Sequence, residues 1–299
     1  MGRLGSLLES AEGLESTGGG VSQSAVFVGR NGYAANFLSG WNLAFPQPMG
    51  SRADDVALLK RGGTGFELKY QNFSVVLSKS RRMTMYTAVN IDGSQSRQIG
   101  RTDNWRYDGR LDKEDQWGNE LYSGNALDRG HMVRREDPIW GTVEEARIAN
   151  DDTFHFTNSC PQMAGVNQKT WLGLENYVLQ NARVDGMKVT VFTGPFFSDD
   201  DLDYRGAKIP LAFWKVVVIV TEDGRPSATA YKVSQSKELQ ELEFVYAGYK
   251  TYQISIQQVI NNTEIDFSAL LPYDGFSQHE ATNGGTLEEP IDTLENIRI

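Results

Sequence analysis

The chain has 299 residues, of which 39% are hydrophobic and 23% charged, with a formal net charge of −10 and a single cysteine. That length buries a sizeable core without disulfides or a structural metal, and one cysteine excludes a disulfide within the chain. No uninterrupted apolar run approaches the ~20 residues needed to cross a bilayer, so the composition is that of a globular chain with no membrane partner.

The opening MGRLGSLLESAEGLES lacks the apolar core of a secretion signal, which leaves either a cytoplasmic chain or an exported one with its signal removed. Residues 1–30 are rich in Gly, Ser and Glu and read as a flexible lead-in to one domain over 31–280, and 281–299 reads as a polar tail. Residues 66–77 and 84–91 carry the alternation of strands. A short helix is expected over 143–149, and the clearest one over 167–183, with Trp171, Leu174 and Val178 on one face. Residues 187–193 and 212–220 are β-branched and apolar, as central strands are, and Asp223-Gly224 marks a hairpin turn into SATAYKVS. Residues 253–261 suggest a third helix. The pattern is α+β, a mainly antiparallel central sheet with helices packed on it.

Charge is unevenly spread. Lys79, Arg81, Arg82, Arg97, Arg101, Arg106, Arg110, Arg129, Arg134 and Arg135 fall in the first half, while acids dominate after about residue 234. A net charge of −10 argues against a nucleic-acid binder, yet it permits a basic cleft on an acidic body.

Three segments gather chemistry-bearing residues: 127–140 (LDRGHMVRREDPIW), 153–158 (TFHFTN) and 161–175 (PQMAGVNQKTWLGLE). They read as strand, strand and helix, a ββα finger that brings His131 opposite the helix start near Asn167. An imidazole, an amide, a guanidinium and a carboxylate suit phosphodiester hydrolysis. Neutral imidazole is the natural base for water, and arginine stabilises the extra charge of the transition state. A hard divalent ion such as Mg²⁺ relieves charge on the leaving oxygen, and one amide oxygen can anchor it while it keeps several waters.

These residues resemble the DNA/RNA non-specific endonucleases, the Serratia nuclease and endonuclease G type with a ββα-metal finger. Asp128-Arg129-Gly130-His131 carries the resemblance, with Asn167, Trp171 and Leu174-Glu175 following in order. Stretches at 31–46, 68–93, 189–197 and 261–272 extend it over about residues 31–272. The resemblance implies a nuclease domain over 31–280 and cleavage of DNA and RNA to 5′-phosphate and 3′-hydroxyl ends. It makes His131 the general base, Asn167 the direct ligand of Mg²⁺ (with Mn²⁺ or another divalent ion as the alternative), and Glu175 the holder of water on that metal. Arg129 and Arg101 would stabilise the transition state, with Arg97, Arg106 and Arg110 as competitors for the second place.

On one straight helix Asn167 and Glu175 would stand ~12 Å apart in rise and ~80° apart around the axis. Either Glu175 acts through water, or the chain bends near Gly173. Arg134 and Arg135, if successive in a strand, point to opposite faces, so at most one lines the cleft. Trp140 is a candidate for stacking on a base and equally for a buried structural role. His155 reads as structural, His279 as solvated and Cys160 as a small buried residue. A non-catalytic nucleic-acid- or partner-binding protein on the same scaffold is the main alternative to an enzyme, and a homodimer is left open.

Overall fold

The computed structural model describes residues 19–60, 65–163, 171–221, 223–236, 251–283 and 285–290. The first strand, β1 (Gly20–Ser22), lies within the stretch expected to be a flexible lead-in. It pairs in parallel with Arg106–Asp108, and Phe27, just after it, is buried in the core. Residues 19–30 therefore belong to the folded body, and the sequence missed this because the Gly- and Ser-rich run masks a short strand held from outside.

Residues 66–77, expected as one strand, form two: β2 (Leu68–Tyr70) and β3 (Phe73–Ser78), reversed at Asn72, whose φ is 69°. Asparagine tolerates that left-handed conformation better than most residues. β4 (Met83–Asp92) follows, then β5 (Arg106–Asp108), β6 (Leu127–His131), β7 (Ser159–Met163) and β8 (Lys188–Phe196). After a small hairpin of β9 (Leu202–Tyr204) and β10 (Ala207–Ile209) come β11 (Ala212–Val220), β12 (Pro226–Ser234), β13 (Thr251–Ile254) and β14 (Glu289–Pro290). The β11–β12 hairpin turns at Asp223-Gly224 as expected, with Gly224 at φ 81°. Among the described residues the helices of eight residues or more are α1 (Val143–Asp152), α2 (Trp171–Val184), α3 (Ile256–Thr263) and α4 (Gly275–Asn283). The third expected helix thus begins three residues late, because 251–254 adds a strand to the sheet.

One eight-stranded sheet organises the molecule, in the order β14-β13-β12-β11-β8-β4-β3-β2, with every pairing antiparallel. Both faces are covered, which is why β3 and β4 are buried along their whole length. Along β11, Trp214, Val216 and Val218 join one apolar layer with Met85, Phe192 and Phe267. Alternate positions meet the other layer, where Leu179 and Ala182 of α2 pack with Val75, Val89 and Val191. The polar tail expected over 281–299 contributes β14, and His279, expected to be solvated, is 2.7 Å from Glu289 through its Nε2.

The finger sits outside the sheet, in the long connection from β4 to β8. β6 and β7 pair antiparallel, with Asp128 opposite Gln162 and His131 opposite Ser159. A third cluster of Trp105, Tyr107, Leu127, Phe154 and Phe156 supports them. Thr84 Oγ1 of β4 donates to the carbonyl of Thr157 (2.5 Å), fastening the finger to the sheet.

Candidate active site

The second strand of the finger is 159–163 and not 153–158. The latter stretch ends α1 in a turn, touches β5 through a single bridge between Arg106 and His155, and closes in a 3-10 turn over Phe156–Asn158. Its alternation of Phe, His and Phe mimicked a half-buried strand, but Phe154, His155 and Phe156 are all buried. His155 is structural: its ring nitrogens meet the carbonyl of Asp152 and the hydroxyl of Ser22, each at 2.9 Å.

β6 places Arg129 and His131 two residues apart, on one face of the strand. Gly130 between them is required by packing, because a Cβ there would stand 2.0 Å from Gln162 Oε1. The backbone beyond His131 is fixed by the buried Asn158. Its side-chain oxygen accepts from the Val133 amide (2.8 Å), and its amide donates to the carbonyls of Val133 and Thr153.

His131 packs between two aromatic rings, 4.8 Å from Trp105 and 5.2 Å from Phe154. Its Nε2 is buried and has no hydrogen-bond partner among the described residues. Burial, reinforced by the positive charges of Arg101 and Arg135, holds its pKa down to about 3. The imidazole is therefore neutral at physiological pH, with an unsatisfied nitrogen that costs stability where it lies.

Arg101 lies over Phe154, 5.2 Å from the ring centre, and pairs with Asp103 at 3.1 Å while remaining exposed. Two of its competitors are engaged elsewhere. Arg97 Nε donates to the carbonyl of Gly141 (2.8 Å), and Arg110 is clamped on Asp108 (2.7 Å) over the ring of Phe27. Arg106 sits on β5, its guanidinium beside Gly20. Arg129 donates to Asn119 Oδ1 (2.7 Å) beside the Tyr122 ring, its Nε is buried without a partner among the described residues, and burial lowers its pKa.

Arg134 and Arg135 do not follow each other in a strand, since β6 ends at His131 and the chain turns. Both reach Glu136, at 3.6 and 2.8 Å, and Arg183 of α2 reaches the same carboxylate at 3.4 Å. Arg135 also donates to the carbonyl of Ile99 and to Asn150 Oδ1. Trp140 donates from its indole to the carbonyl of Asn90 (2.7 Å) and packs on Phe37, which favours the structural role.

Glu175 lies on α2, which runs through Gly173 without a break, and is buried on the face turned to the sheet. Lys215 of β11 meets its Oε1 at 3.1 Å. Asp137, also buried, shares this charged neighbourhood. Burial pushes its pKa up to about 7, and Glu175 and Glu136 add to the rise while Arg134 and Lys215 oppose it. Neither Lys215 nor Asp137 is among the residues that the sequence motif singles out. A lysine inside an apolar β11 was a visible signal, because charged side chains are rarely fully buried without a partner. Asn167 falls outside the described residues, as do the side chains of Trp171 and Leu174.

The donors suit a hard, well-hydrated cation better than a soft or fully caged one. Among the described residues no three His, Cys, Asp or Glu side chains gather as a ligand set. Among the described residues the finger offers carboxylate oxygen, at Glu175, of the kind that a hard ion retaining its waters takes. No helix among the described residues is long and apolar enough to cross a membrane.

Comparison with known proteins follows the same lines. Residues 59–274 match the model of the DNA/RNA non-specific endonuclease family. The uncharacterised protein y4fB of Sinorhizobium fredii is 38% identical over 282 residues, covering 84% of this chain and 41% of that one. Bovine mitochondrial endonuclease G is 30% identical over 125 residues, 38% of this chain and 40% of its own length, so the chain spans about two-fifths of these relatives. A Nostoc nuclease is 24% identical over 206 residues, 65% of this chain and 70% of that one. Endonuclease G in its complex with the inhibitor EndoGI has the same fold, with a TM-score of 0.55 and 17% identity over 69% of this chain and 87% of that one. The chain belongs to the DNA/RNA non-specific endonuclease family.

Proposed function

We propose that this protein is a divalent-metal-dependent endonuclease that hydrolyses phosphodiester bonds of DNA and RNA with little sequence preference, leaving 5′-phosphate and 3′-hydroxyl ends. The observation that carries the reading is the neutral Nε2 of His131, without a partner among the described residues, caged by Trp105 and Phe154 and subject to the positive charges of Arg101 and Arg135. A base that takes a proton from water must be unprotonated and unoccupied before substrate arrives. Arg101 and Arg135 also supply the means to strengthen it. An anionic phosphodiester bound between them offsets their charge, so the proton affinity of His131 rises as substrate docks.

In this reading the water attacks phosphorus as His131 Nε2 accepts its proton. Arg101 and Arg129 neutralise the charge that gathers on the phosphate oxygens. Asn167 would hold a hydrated Mg²⁺ or Mn²⁺, with Glu175 holding water around it. Such an ion, when bound, supplies positive charge at the leaving 3′-oxygen. Arg134 and Arg135, gathered on Glu136, would contact flanking phosphates, and recognition through the backbone explains why no sequence preference is expected.

The test is digestion of plasmid DNA, single-stranded DNA and RNA at low salt. Cleavage that needs Mg²⁺ or Mn²⁺, stops with EDTA and is abolished by His131→Ala is the expected result. Intact substrates at stoichiometric enzyme, or full activity of His131→Ala, would overturn the reading.

A further inference from the structure

We propose that Lys215 is a positioning residue for Glu175, the inference resting on the role proposed above for that carboxylate. Lys215 lies midway along β11, opposite Thr193 of β8 and Tyr231 of β12, in the apolar run AFWKVVVIV. It is 2% exposed. Its Nζ donates to Thr193 Oγ1 at 3.0 Å and to Glu175 Oε1 at 3.1 Å. The strand supplies the ammonium, the neighbouring strand orients it, and the helix above brings down the carboxylate.

Two considerations separate this pair from a packing contact. The first is energetic. An apolar pair of similar volume would hold α2 on the sheet at least as well as a buried ion pair, which must repay the desolvation of both groups. Leu179 and Ala182, further along the same face of α2, already do so in the ordinary way. The second is stereochemical. A carboxylate on a helix keeps rotational freedom at its end, and Lys215 removes it by engaging Oε1 from a rigid strand. The task proposed for Glu175 then falls to Oε2, at an orientation set by the sheet. Partners of this kind, behind the groups that face a metal and its waters, are worth about 10- to 100-fold in metal affinity or rate.

The experiment uses the full chain in four variants: Lys215→Met, Lys215→Arg, Glu175→Gln and the double variant Glu175→Gln/Lys215→Met. Mn²⁺ binding to the substrate-free protein is read by EPR titration, alongside kcat on plasmid DNA. The expected result is that Lys215→Met weakens Mn²⁺ binding and lowers kcat, each by about 10- to 100-fold. Lys215→Arg recovers most of both, and adding Lys215→Met to Glu175→Gln changes neither. Mn²⁺ affinity unchanged in a folded Lys215→Met protein overturns the proposal, as does an equal loss in both backgrounds. Should Lys215→Met alone fail to fold, the comparison of Glu175→Gln with the double variant carries the test, and a difference between those two overturns it. Wild-type affinity and rate in Glu175→Gln would instead remove the role of Glu175 itself.

Discussion

Replacing His131 by leucine should make the protein more stable and inactive, with a stability gain that grows as pH falls. The imidazole is caged by Trp105 and Phe154 and leaves Nε2 buried without a partner among the described residues. Leucine fills a similar volume with nothing to satisfy. At pH 8 the imidazole is neutral in both folded and unfolded chains, so only the orphaned nitrogen counts, and its removal is worth about 1 kcal/mol. Below pH 6.5 the unfolded chain takes up a proton at this residue, while the folded chain does not until about pH 3. The stabilisation from keeping His131 neutral is thus fully present above the unfolded pKa and is lost as pH falls toward the folded one. Two pH units below 6.5 the wild type has lost roughly 2.7 kcal/mol that the leucine variant keeps. The difference between the proteins should therefore rise from about 1 kcal/mol at pH 8 to about 3–4 kcal/mol at pH 4.5. His155, shifted in the same direction by its own burial, is common to both and cancels. Urea unfolding in EDTA, followed by tryptophan fluorescence at four pH values, measures this directly. A stability difference that does not change with pH would refute the reasoning.

Two further substitutions separate chemistry from architecture. Arg101→Ala should lower kcat by about 100- to 1,000-fold with the melting temperature unchanged, whereas Arg110→Ala should spare the site but cost about 3 kcal/mol, because it leaves buried Asp108 unpaired. Thermal melts and plasmid cleavage on both variants check the division, and reversed outcomes would reassign the transition-state arginine. Gly130→Ala should destabilise the protein by about 1–3 kcal/mol, since its methyl group lands on Gln162. A variant that melts with the wild type would show that the finger strands yield more easily than their packing implies.

The local structure of the candidate site's contiguous parts was legible in the sequence. Asp128 to His131 forms one strand, and Glu175 follows on the helix, so motif spacing and local pattern suffice. What was not legible depends on contacts between distant segments. Lys215 lies 40 residues from Glu175 in the chain, and nothing local says that the two meet. The aromatic cage draws Trp105 and Phe154 from separate loops. Residues 153–158 were misread because alternation signals a half-buried strand only when one face is wet, and here neither is. Arg134 and Arg135 were misplaced for a related reason: the strand ends at His131, and a turn then directs both side chains to Glu136 instead of to opposite faces. The choice among Arg97, Arg101, Arg106 and Arg110 likewise draws on the fold: Arg97 is engaged by the carbonyl of Gly141, 44 residues away, although the clamp of Arg110 on Asp108 is local.

The finger occupies the connection between β4 and β8, two strands that lie side by side in the centre of the sheet. The hairpins β3–β4 and β11–β12 join strands that are neighbours in the chain, whereas β4 meets β8 across the whole connection, the kind of long-range pairing that carries the larger loop-closure cost. His131 arrives with that connection, while Lys215 waits on the far side of β8. The residues proposed to act on phosphate therefore lie in segments that meet only through contacts distant in sequence, and a partly folded chain carries those residues without their arrangement.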